Sequence, residues 1–380
     1  MTGEPCPTDA KDKTLFTPGP LTTSRTVKQA MLRDLGSRDA GFIRIVDDVR
    51  RSLLAVAGVS RDDGYEAVLM QGSGTFGIEA VVGSTVPPDG KLLVIVNGAY
   101  GQRIARIAQV LNIETVILEY PENATPVPSE IDHTLSGAST ITNVAVVHCE
   151  TTTGILNPID EIGRVVKGHG KTYFVDSMSA FGAVKINLTS GGIDYLVSSA
   201  NKCLEGVPGF SFAICRRDAL QVTKDWARSL SLDLWAQWQG LESNGQFRFT
   251  PPTHAILALE QALCELNAEG GVEGRAARYE QNHRCLVEGM RSMGFREYLE
   301  PADEGHIITS FHYPKHPNFR FEEFYDRLNN RGMVIYPGKV SDAECFRIGT
   351  IGHLFVTDIR DLLAAIQDTL AQMKVCIGRE

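Results

Sequence analysis

The sequence predicts an α/β fold with a mostly parallel seven-stranded sheet in a large domain and a smaller α+β domain after it. Between about residues 66 and 215, seven short apolar runs alternate with runs of helical spacing. Many of the apolar runs have no polar face, as in a sheet covered on both sides. We expect an N-terminal segment over 1–25 that joins the active site and the small domain, a large domain over 26–270 and a small domain over 271–380.

The individual elements follow from the same patterns. The predicted strands of the large sheet are YEAVLMQ, KLLVIVNG, ETVILEY, NVAVVHCE, KTYFVDSM, DYLVSSANK and GFSFAICR. Helical spacing predicts helices in FGIEAVVGSTV, YGQRIARIAQVLN and IDEIGRVVKGHG, and one over 254–269 that ends at two glycines. The small domain is predicted to contain helices over 272–294, in FRFEEFYDRLNNRG and over 357–374, with strands in HIITSFHY, MVIYPGK and CFRIGT.

Composition limits the classes of partner and the location. The chain of 380 residues has a formal net charge of -9 and no long run of Lys or Arg, which argues against a nucleic-acid partner. Eight cysteines lack C-x-x-C spacing, so we expect free thiols in a reducing compartment and no metal site. Neither a signal peptide nor a run of roughly 18 apolar residues is visible. We therefore expect a cytoplasmic protein without a membrane partner.

A glycine-rich turn, QGSGTFG, follows the first predicted strand of the large sheet. Its glycines match the dinucleotide pattern G-x-G-x-x-G. The next strand, however, ends at Asn97 without the acidic residue that a ribose requires. The alternative is a phosphate bound by the amides of Gly74 and Thr75 and by the hydroxyls of Ser73 and Thr75 at a helix start. A plain tight turn is the third interpretation.

Two charged residues further along favour the phosphate interpretation. Asp176 ends the strand KTYFVDSM at the edge where open α/β sheets bind ligands, and Lys202 follows the next strand. Each alone is more often an ordinary surface residue. Together with the glycine turn, they supply the ring-nitrogen partner, the Schiff-base lysine and the phosphate cradle that pyridoxal phosphate needs. Desolvation would help Lys202 to lose its proton. Tyr100, just past a strand end, is a candidate for stacking on the ring or for ordinary packing.

Stretches spread over nearly the whole chain resemble the class V aminotransferases of fold type I, a family that includes alanine–glyoxylate and serine–pyruvate aminotransferases. These stretches include LFTPGPLTTSRTVKQAML, VNGAYGQR, VHCETTTGILNPIDEIG, RFTPPTHAILAL and CFRIGTIG. Within the family, the chain is most similar to enzymes that transfer the amino group of 2-aminoethylphosphonate to pyruvate. The resemblance implies pyridoxal 5'-phosphate as cofactor, these two compounds as substrates, and a homodimer with active sites at the subunit interface.

The resemblance also implies roles for individual residues. Arg347 matches the arginine that binds the substrate carboxylate, a role that suits its bidentate guanidinium. Thr151 takes the place of the residue that hydrogen-bonds the ring hydroxyl. The implied cofactor-binding residues are Ser73, Gly74, Thr75, Tyr100, Thr151, Asp176 and Lys202, with Thr250 and Thr253 reaching across from the other subunit. The hydroxyls of Thr22, Thr23 and Ser24 are either phosphonate donors or an ordinary turn cluster.

Three alternatives stay open. The amino donor and acceptor could be those of an alanine–glyoxylate, serine–glyoxylate or serine–pyruvate aminotransferase. A pyridoxal-phosphate lyase such as a cysteine desulfurase would need a mobile Cys, whereas Cys345 lies in a predicted strand. A non-enzymatic cofactor sensor would have no need for Arg347. Residues 34–48 depart from the W-D-D-D-Y type stretch of the aminoethylphosphonate enzymes, so this segment bears on the choice of donor.

Overall fold

The structure is a computed structural model that describes residues 12–338 and 340–378. Its strands are β1 (Thr14–Leu15), β2 (Tyr65–Gln71), β3 (Lys91–Val96), β4 (Glu114–Glu119), β5 (Ile141–Val147), β6 (Cys149–Glu150), β7 (Ile155–Leu156), β8 (Thr172–Asp176), β9 (Tyr195–Ser199), β10 (Phe210–Arg216), β11 (Ile308–His312), β12 (Met333–Val334), β13 (Tyr336–Pro337) and β14 (Cys345–Gly349). Its helices are α1 (Arg25–Ala30), α2 (Ala40–Val56), α3 (Gly74–Thr85), α4 (Ala99–Val110), α5 (Pro128–Gly137), α6 (Ile159–Gly168), α7 (Arg217–Gln221), α8 (Leu234–Asn244), α9 (Thr253–Ala268), α10 (Gly271–Ser292), α11 (Phe321–Asn330) and α12 (Val356–Gln372).

Seven strands form the large sheet, in the order β2–β10–β9–β8–β5–β3–β4. The pairs β3–β4, β3–β5, β5–β8 and β8–β9 are parallel, and β10 runs antiparallel to both β2 and β9. The inner strands are buried on both faces, whereas β4 at the edge is partly exposed. The predicted α/β fold with a mostly parallel seven-stranded sheet is confirmed.

This topology brings several strand ends to one edge of the sheet. Because β2 and β9 are both antiparallel to β10, they run in the same direction as the parallel strands. In register, Asp176 at the end of β8 lies opposite Val147 of β5 and Val197 of β9. The turns that follow β2, β3, β8 and β9 therefore meet at the edge where such sheets bind ligands.

The C-terminal part contains the three-stranded antiparallel sheet β11–β14–β13. Its core is aromatic, and the rings of Phe295, Phe311 and Phe324 surround Phe346 at centroid distances of 5.5–5.9 Å. Phe16 from the N-terminal segment is buried in the same core, while β1 pairs in parallel with β12. The N-terminal segment is thereby held against the C-terminal sheet. The exact domain boundaries stay a prediction.

Two predicted strands are each divided in two. NVAVVHCE forms β5 and β6, with a break at His148. The amide of His148 donates to the Asp176 carbonyl at 2.8 Å, and the His148 carbonyl accepts from the Asn157 amide. MVIYPGK forms β12 and β13, which pair with different partners. The cysteines that the structure describes are free thiols, four of them buried, and Cys6 lies outside the described residues. None of the described helices has the length and apolar character of a membrane span.

Candidate active site

Two residues of opposite charge lie at the edge of the sheet without forming an ion pair. Asp176 is buried at the end of β8, and its Oδ1 accepts a hydrogen bond from the Met178 amide at 2.9 Å. Burial raises the pKa of the Asp176 carboxyl to about 7. Lys202 is partly buried in the turn after β9, and desolvation lowers the pKa of its amine. Among the described residues neither side chain has an ion-pair partner within 4.0 Å, so both are available to a ligand.

The N-terminal segment contacts the Lys202 side chain directly. The Lys202 Nζ donates a hydrogen bond to the Pro18 carbonyl at 2.7 Å. The next residue, Gly19, has a φ of +127°, and a Cβ there would lie 2.7 Å from the lysine Nζ. Only a residue without a side chain permits this close approach. The contact between the segment and Lys202 therefore depends on Gly19.

The predicted phosphate turn leads from β2 into α3. Ser73 occupies the N-cap position of α3, but its hydroxyl makes no capping hydrogen bond. The first amides of a helix have no acceptor within the helix, so the amides of Gly74 and Thr75 suit an anion. A Cβ on Gly74 would overlap the side chain of Met178, which fixes the turn close to the loop after Asp176. The structure thus brings the turn and the acidic residue together.

A buried carboxylate, Glu150, fixes the start of the helix that carries Tyr100. Its Oε2 accepts from the amides of Tyr100 and Gly101 at 3.1 and 3.2 Å. Its Oε1 accepts from the Thr152 hydroxyl at 2.6 Å, and that hydroxyl oxygen accepts from the amide of Ala99. Burial raises the pKa of Glu150, while these hydrogen bonds oppose the rise. Glu150 is not among the residues predicted for the site, although it ends the predicted strand NVAVVHCE.

Arg347 projects from the C-terminal sheet to the same region. It is only 1% exposed in β14. Its Nη1 donates to the Thr151 carbonyl at 2.7 Å and its Nε to the Pro337 carbonyl at 3.0 Å. Burial lowers the pKa of Arg347, and the adjacent Tyr100 opposes this shift. No carboxylate of the described residues lies within 4.0 Å, so a ligand anion would be its counter-charge.

The three predicted phosphonate donors differ in their surroundings. The Thr22 hydroxyl accepts a hydrogen bond from the Leu15 amide at 2.8 Å, which leaves its own proton to donate. Thr23 is partly buried. The Ser24 hydroxyl, in contrast, caps α1 and donates to Glu265 at 2.9 Å. Ser24 is therefore the least available of the three.

Thr250 and Thr253 were predicted to act in another subunit's site. Thr250 is exposed, and Thr253 begins α9. The segment before them is held near the phosphate turn, because the Gln71 side chain donates to the Phe249 carbonyl at 2.9 Å. Their role across an interface stays a prediction.

The geometry of Cys345 argues against the lyase alternative. Cys345 is buried in β14, and its Sγ lies 3.7 Å from the Nδ1 of His312. Burial raises the pKa of the thiol to about 12. A thiol that is protonated and fixed in a strand is a poor nucleophile.

A cavity of about 710 Å³ lies elsewhere, along the ends of α2 and α9 and residues 185–190. None of the predicted site residues lines it. Its lining mixes apolar and polar side chains and contains no group with a resolved pKa shift. The charges gathered at the sheet edge, rather than the size of a cavity, therefore identify the candidate site.

Comparison with known proteins supports an aminotransferase. A family model described as aminotransferase class-V matches residues 23–342. A 2-aminoethylphosphonate–pyruvate transaminase of Syntrophobacter fumaroxidans is 51% identical over 357 residues, which cover 94% of this chain and 96% of the relative. A transaminase of the same name from Salmonella typhimurium is 51% identical over 358 residues, covering 94% and 97%.

Solved structures share the fold. A ureidoglycine–glyoxylate aminotransferase of Bacillus subtilis has a TM-score of 0.88 at 23% identity, covering 97% of this chain and 95% of that one. A pyridoxamine–pyruvate aminotransferase of Mesorhizobium loti has a TM-score of 0.87 at 24% identity, covering 98% and 96%. These likenesses support fold type I alone. With the family model matching most of its length, the chain belongs to the class V aminotransferases.

Proposed function

We propose that this aminotransferase uses pyridoxal phosphate to move the amino group of 2-aminoethylphosphonate to pyruvate, giving phosphonoacetaldehyde and L-alanine. The observation that carries the substrate proposal is the 51% identity, over 94% of the chain, to a relative named for this reaction. The charged groups of the site are consistent with it, because both substrates are anions and Arg347 has no carboxylate partner among the described residues.

The fit of the cofactor rests on three features of the site. Asp176 would bind the protonated ring nitrogen, Lys202 would bind the aldehyde carbon, and the turn of Ser73, Gly74 and Thr75 would hold the phosphate. A buried Asp and a desolvated Lys that do not pair with each other suit a ligand that contacts both. Pyridoxal phosphate supplies an aldehyde that accepts the amino group and a ring that stabilises negative charge on the substrate carbon.

The side chains of the chain would divide the remaining work. Desolvation favours the neutral amine of Lys202, which can take the proton from the reacting carbon and return it. The Pro18 carbonyl orients this amine when it is free. Asp176 needs to be ionised to keep the ring nitrogen protonated. The positive charge of that nitrogen, once bound beside the carboxyl, would favour the ionised form. The rigid start of α4 would hold Tyr100 against the ring.

Anion binding is assigned to Arg347 and to the N-terminal hydroxyls. Arg347 would bind the carboxylate of pyruvate and, in the other half-reaction, the phosphonate. Thr22 and Thr23 would add donors to the phosphonate. In Thr22→Val and Thr23→Val variants, we expect a much larger loss of rate with 2-aminoethylphosphonate than with L-alanine in the reverse half-reaction. Equal losses with both donors would refute this part of the proposal.

We also propose a homodimer, because three exposed apolar side chains lie beside the phosphate turn. Leu230, Phe249 and Phe76 are 77%, 45% and 50% exposed. Two hydrogen bonds join the chain segments that carry Leu230 and Phe249 to each other and to the end of β2. Arg248 donates to the Leu230 carbonyl, and Gln71 donates to the Phe249 carbonyl. Large apolar side chains exposed close together are typical of subunit interfaces. A partner covering it would lie close to the site.

The dimer is tested by the variant Phe249→Glu. We expect sedimentation to show a dimer for the natural protein and a shift toward monomer, with weaker cofactor binding, for the variant. The matched control is Val222→Glu, since Val222 is 62% exposed on a different helix end. If the natural protein sediments as a monomer, the proposed roles of Thr250 and Thr253 in trans fail as well. We further propose a cytoplasmic location, in keeping with the free thiols.

The substrate proposal is tested by single half-reactions. The yellow, cofactor-loaded enzyme is mixed separately with 2-aminoethylphosphonate, L-serine and L-alanine, and conversion of the cofactor to its amine form is followed by absorbance. We expect rapid conversion with the phosphonate and L-alanine and little with L-serine. Rapid conversion with L-serine and none with the phosphonate would favour a serine aminotransferase and direct attention to residues 34–48.

A further inference from the structure

An arginine outside the predicted site residues, Arg103, lies between the phosphate turn and the Tyr100 ring. It follows Tyr100 by one turn of α4, so both side chains project from the same face of the helix. The guanidinium carbon is 4.7 Å from the centroid of the Tyr100 ring. Its Nη1 is 3.5 Å from the Thr75 hydroxyl. The Arg103 side chain is partly buried and lies next to the turn assigned to the cofactor phosphate.

The charge of Arg103 has no carboxylate partner within 4.0 Å among residues 12–338 and 340–378. Two fully buried arginines outside the candidate site do have one: Arg50 pairs with Glu66 at 3.3 Å and Arg275 with Glu205 at 3.3 Å. A guanidinium that is partly removed from water gains most from an anionic partner. Its position indicates that this partner belongs to a ligand.

The phosphate turn itself contributes no cation. A phosphate monoester carries about 1.5 to 2 negative charges at neutral pH. Lys202 binds the Pro18 carbonyl and must act as a neutral amine, and Arg347 is held by two carbonyls on the C-terminal side. Of these three basic side chains, Arg103 is the one with a contact to a residue of the turn.

We propose that Arg103 is a cofactor-binding residue that pairs with the phosphate of pyridoxal phosphate. This assignment rests on the proposed function, since it needs that cofactor in the site. Stacking on Tyr100 holds the guanidinium in place, and the Thr75 hydroxyl marks the direction in which it donates. The positive charge of Arg103 also lowers the pKa of Asp176, against the effect of burial. The competing explanation is therefore that Arg103 acts through Asp176 on the ring nitrogen.

Two ligands separate these explanations, because pyridoxal has the ring and the aldehyde but lacks the phosphate. The cofactor-free full chain is titrated with each, and binding is followed by absorbance. For Arg103→Met we expect an affinity for pyridoxal phosphate that is about 10- to 100-fold lower, with unchanged affinity for pyridoxal. Arg103→Lys keeps the charge but loses the fork, so its loss should be intermediate. Inorganic phosphate should raise the Tm of the natural cofactor-free protein but not that of Arg103→Met.

The matched control is Arg106→Met, one turn further along α4. Arg106 is exposed and contacts Gln109 at 3.3 Å, so this variant should bind both ligands normally. Equal losses for both ligands in Arg103→Met, repeated in Arg103→Gln, would overturn the proposal in favour of a role through the ring or the fold. Unchanged affinity for both would overturn it too. Failure of the natural protein to bind pyridoxal phosphate would contradict the proposed function itself.

Discussion

Replacing Asp176 by Asn should stabilise the cofactor-free protein at alkaline pH. Burial raises the pKa of this carboxyl from 3.8 to about 7. Because the pKa is higher in the folded state, burying the ionised carboxyl costs stability. Below pH 3.8 the carboxyl is protonated in both states and this cost is absent. The stability is then lost as the pH rises through 7. The shift of roughly 3 units, at 1.36 kcal/mol per unit, corresponds to about 4 kcal/mol. Asn can still accept from the Met178 amide but carries no charge to desolvate.

The assay is urea unfolding of the cofactor-free chain at about pH 8 and at about pH 5. We expect Asp176→Asn to have the higher free energy of unfolding at pH 8 and less than half of that gain at pH 5. The same variant should lose transaminase activity, since it cannot hold a protonated ring nitrogen. The control Asp62→Asn changes an exposed side chain and should have no effect. A variant that is no more stable than the natural protein at pH 8 would refute the reasoning.

Three further variants test other parts of the site. Glu150→Gln should lower the free energy of unfolding by about 1–3 kcal/mol, because both oxygens of Glu150 accept hydrogen bonds and a Gln side chain has only one oxygen. Urea unfolding measures this, and an unchanged midpoint would contradict it. Arg347→Lys should raise the KM for pyruvate about 10-fold or more while the absorbance of the bound cofactor stays the same; steady-state kinetics measure this, and an unchanged KM would remove Arg347 from substrate binding. Cys345→Ser should keep most of the L-alanine formation in a coupled assay, whereas complete loss would reopen the lyase alternative.

The sheet and its two charged residues could be predicted because their signals are local. Buried parallel strands appear as continuously apolar runs, and the strand that ends at Asp176 is one of them. Lys202 follows another such strand, so the rule that ligands bind at carboxyl ends of strands was enough to place both residues. The helix α2 was missed, although Asp39 at its N-cap and the spacing of its buried apolar residues were visible in the sequence.

The contacts that complete the site could not be predicted, because they join distant parts of the chain. Lys202 binds the Pro18 carbonyl across 184 residues, and Arg347 reaches the Thr151 carbonyl across 196. Glu150 accepts from amides about 50 positions earlier. Such pairings depend on how strands are ordered in the sheet, and no local pattern encodes that order.

The most direct test of the substrate claim is identification of both products by NMR. The purified enzyme, loaded with pyridoxal phosphate, is incubated with 2-aminoethylphosphonate and pyruvate, and phosphorus and proton spectra are recorded over time. We predict that phosphonoacetaldehyde and L-alanine appear in equal amounts. Without pyruvate, L-alanine should not form, and phosphonoacetaldehyde should stop at about one equivalent per active site. An unchanged phosphonate signal in this mixture, together with formation of L-alanine when L-serine replaces the phosphonate, would contradict the account.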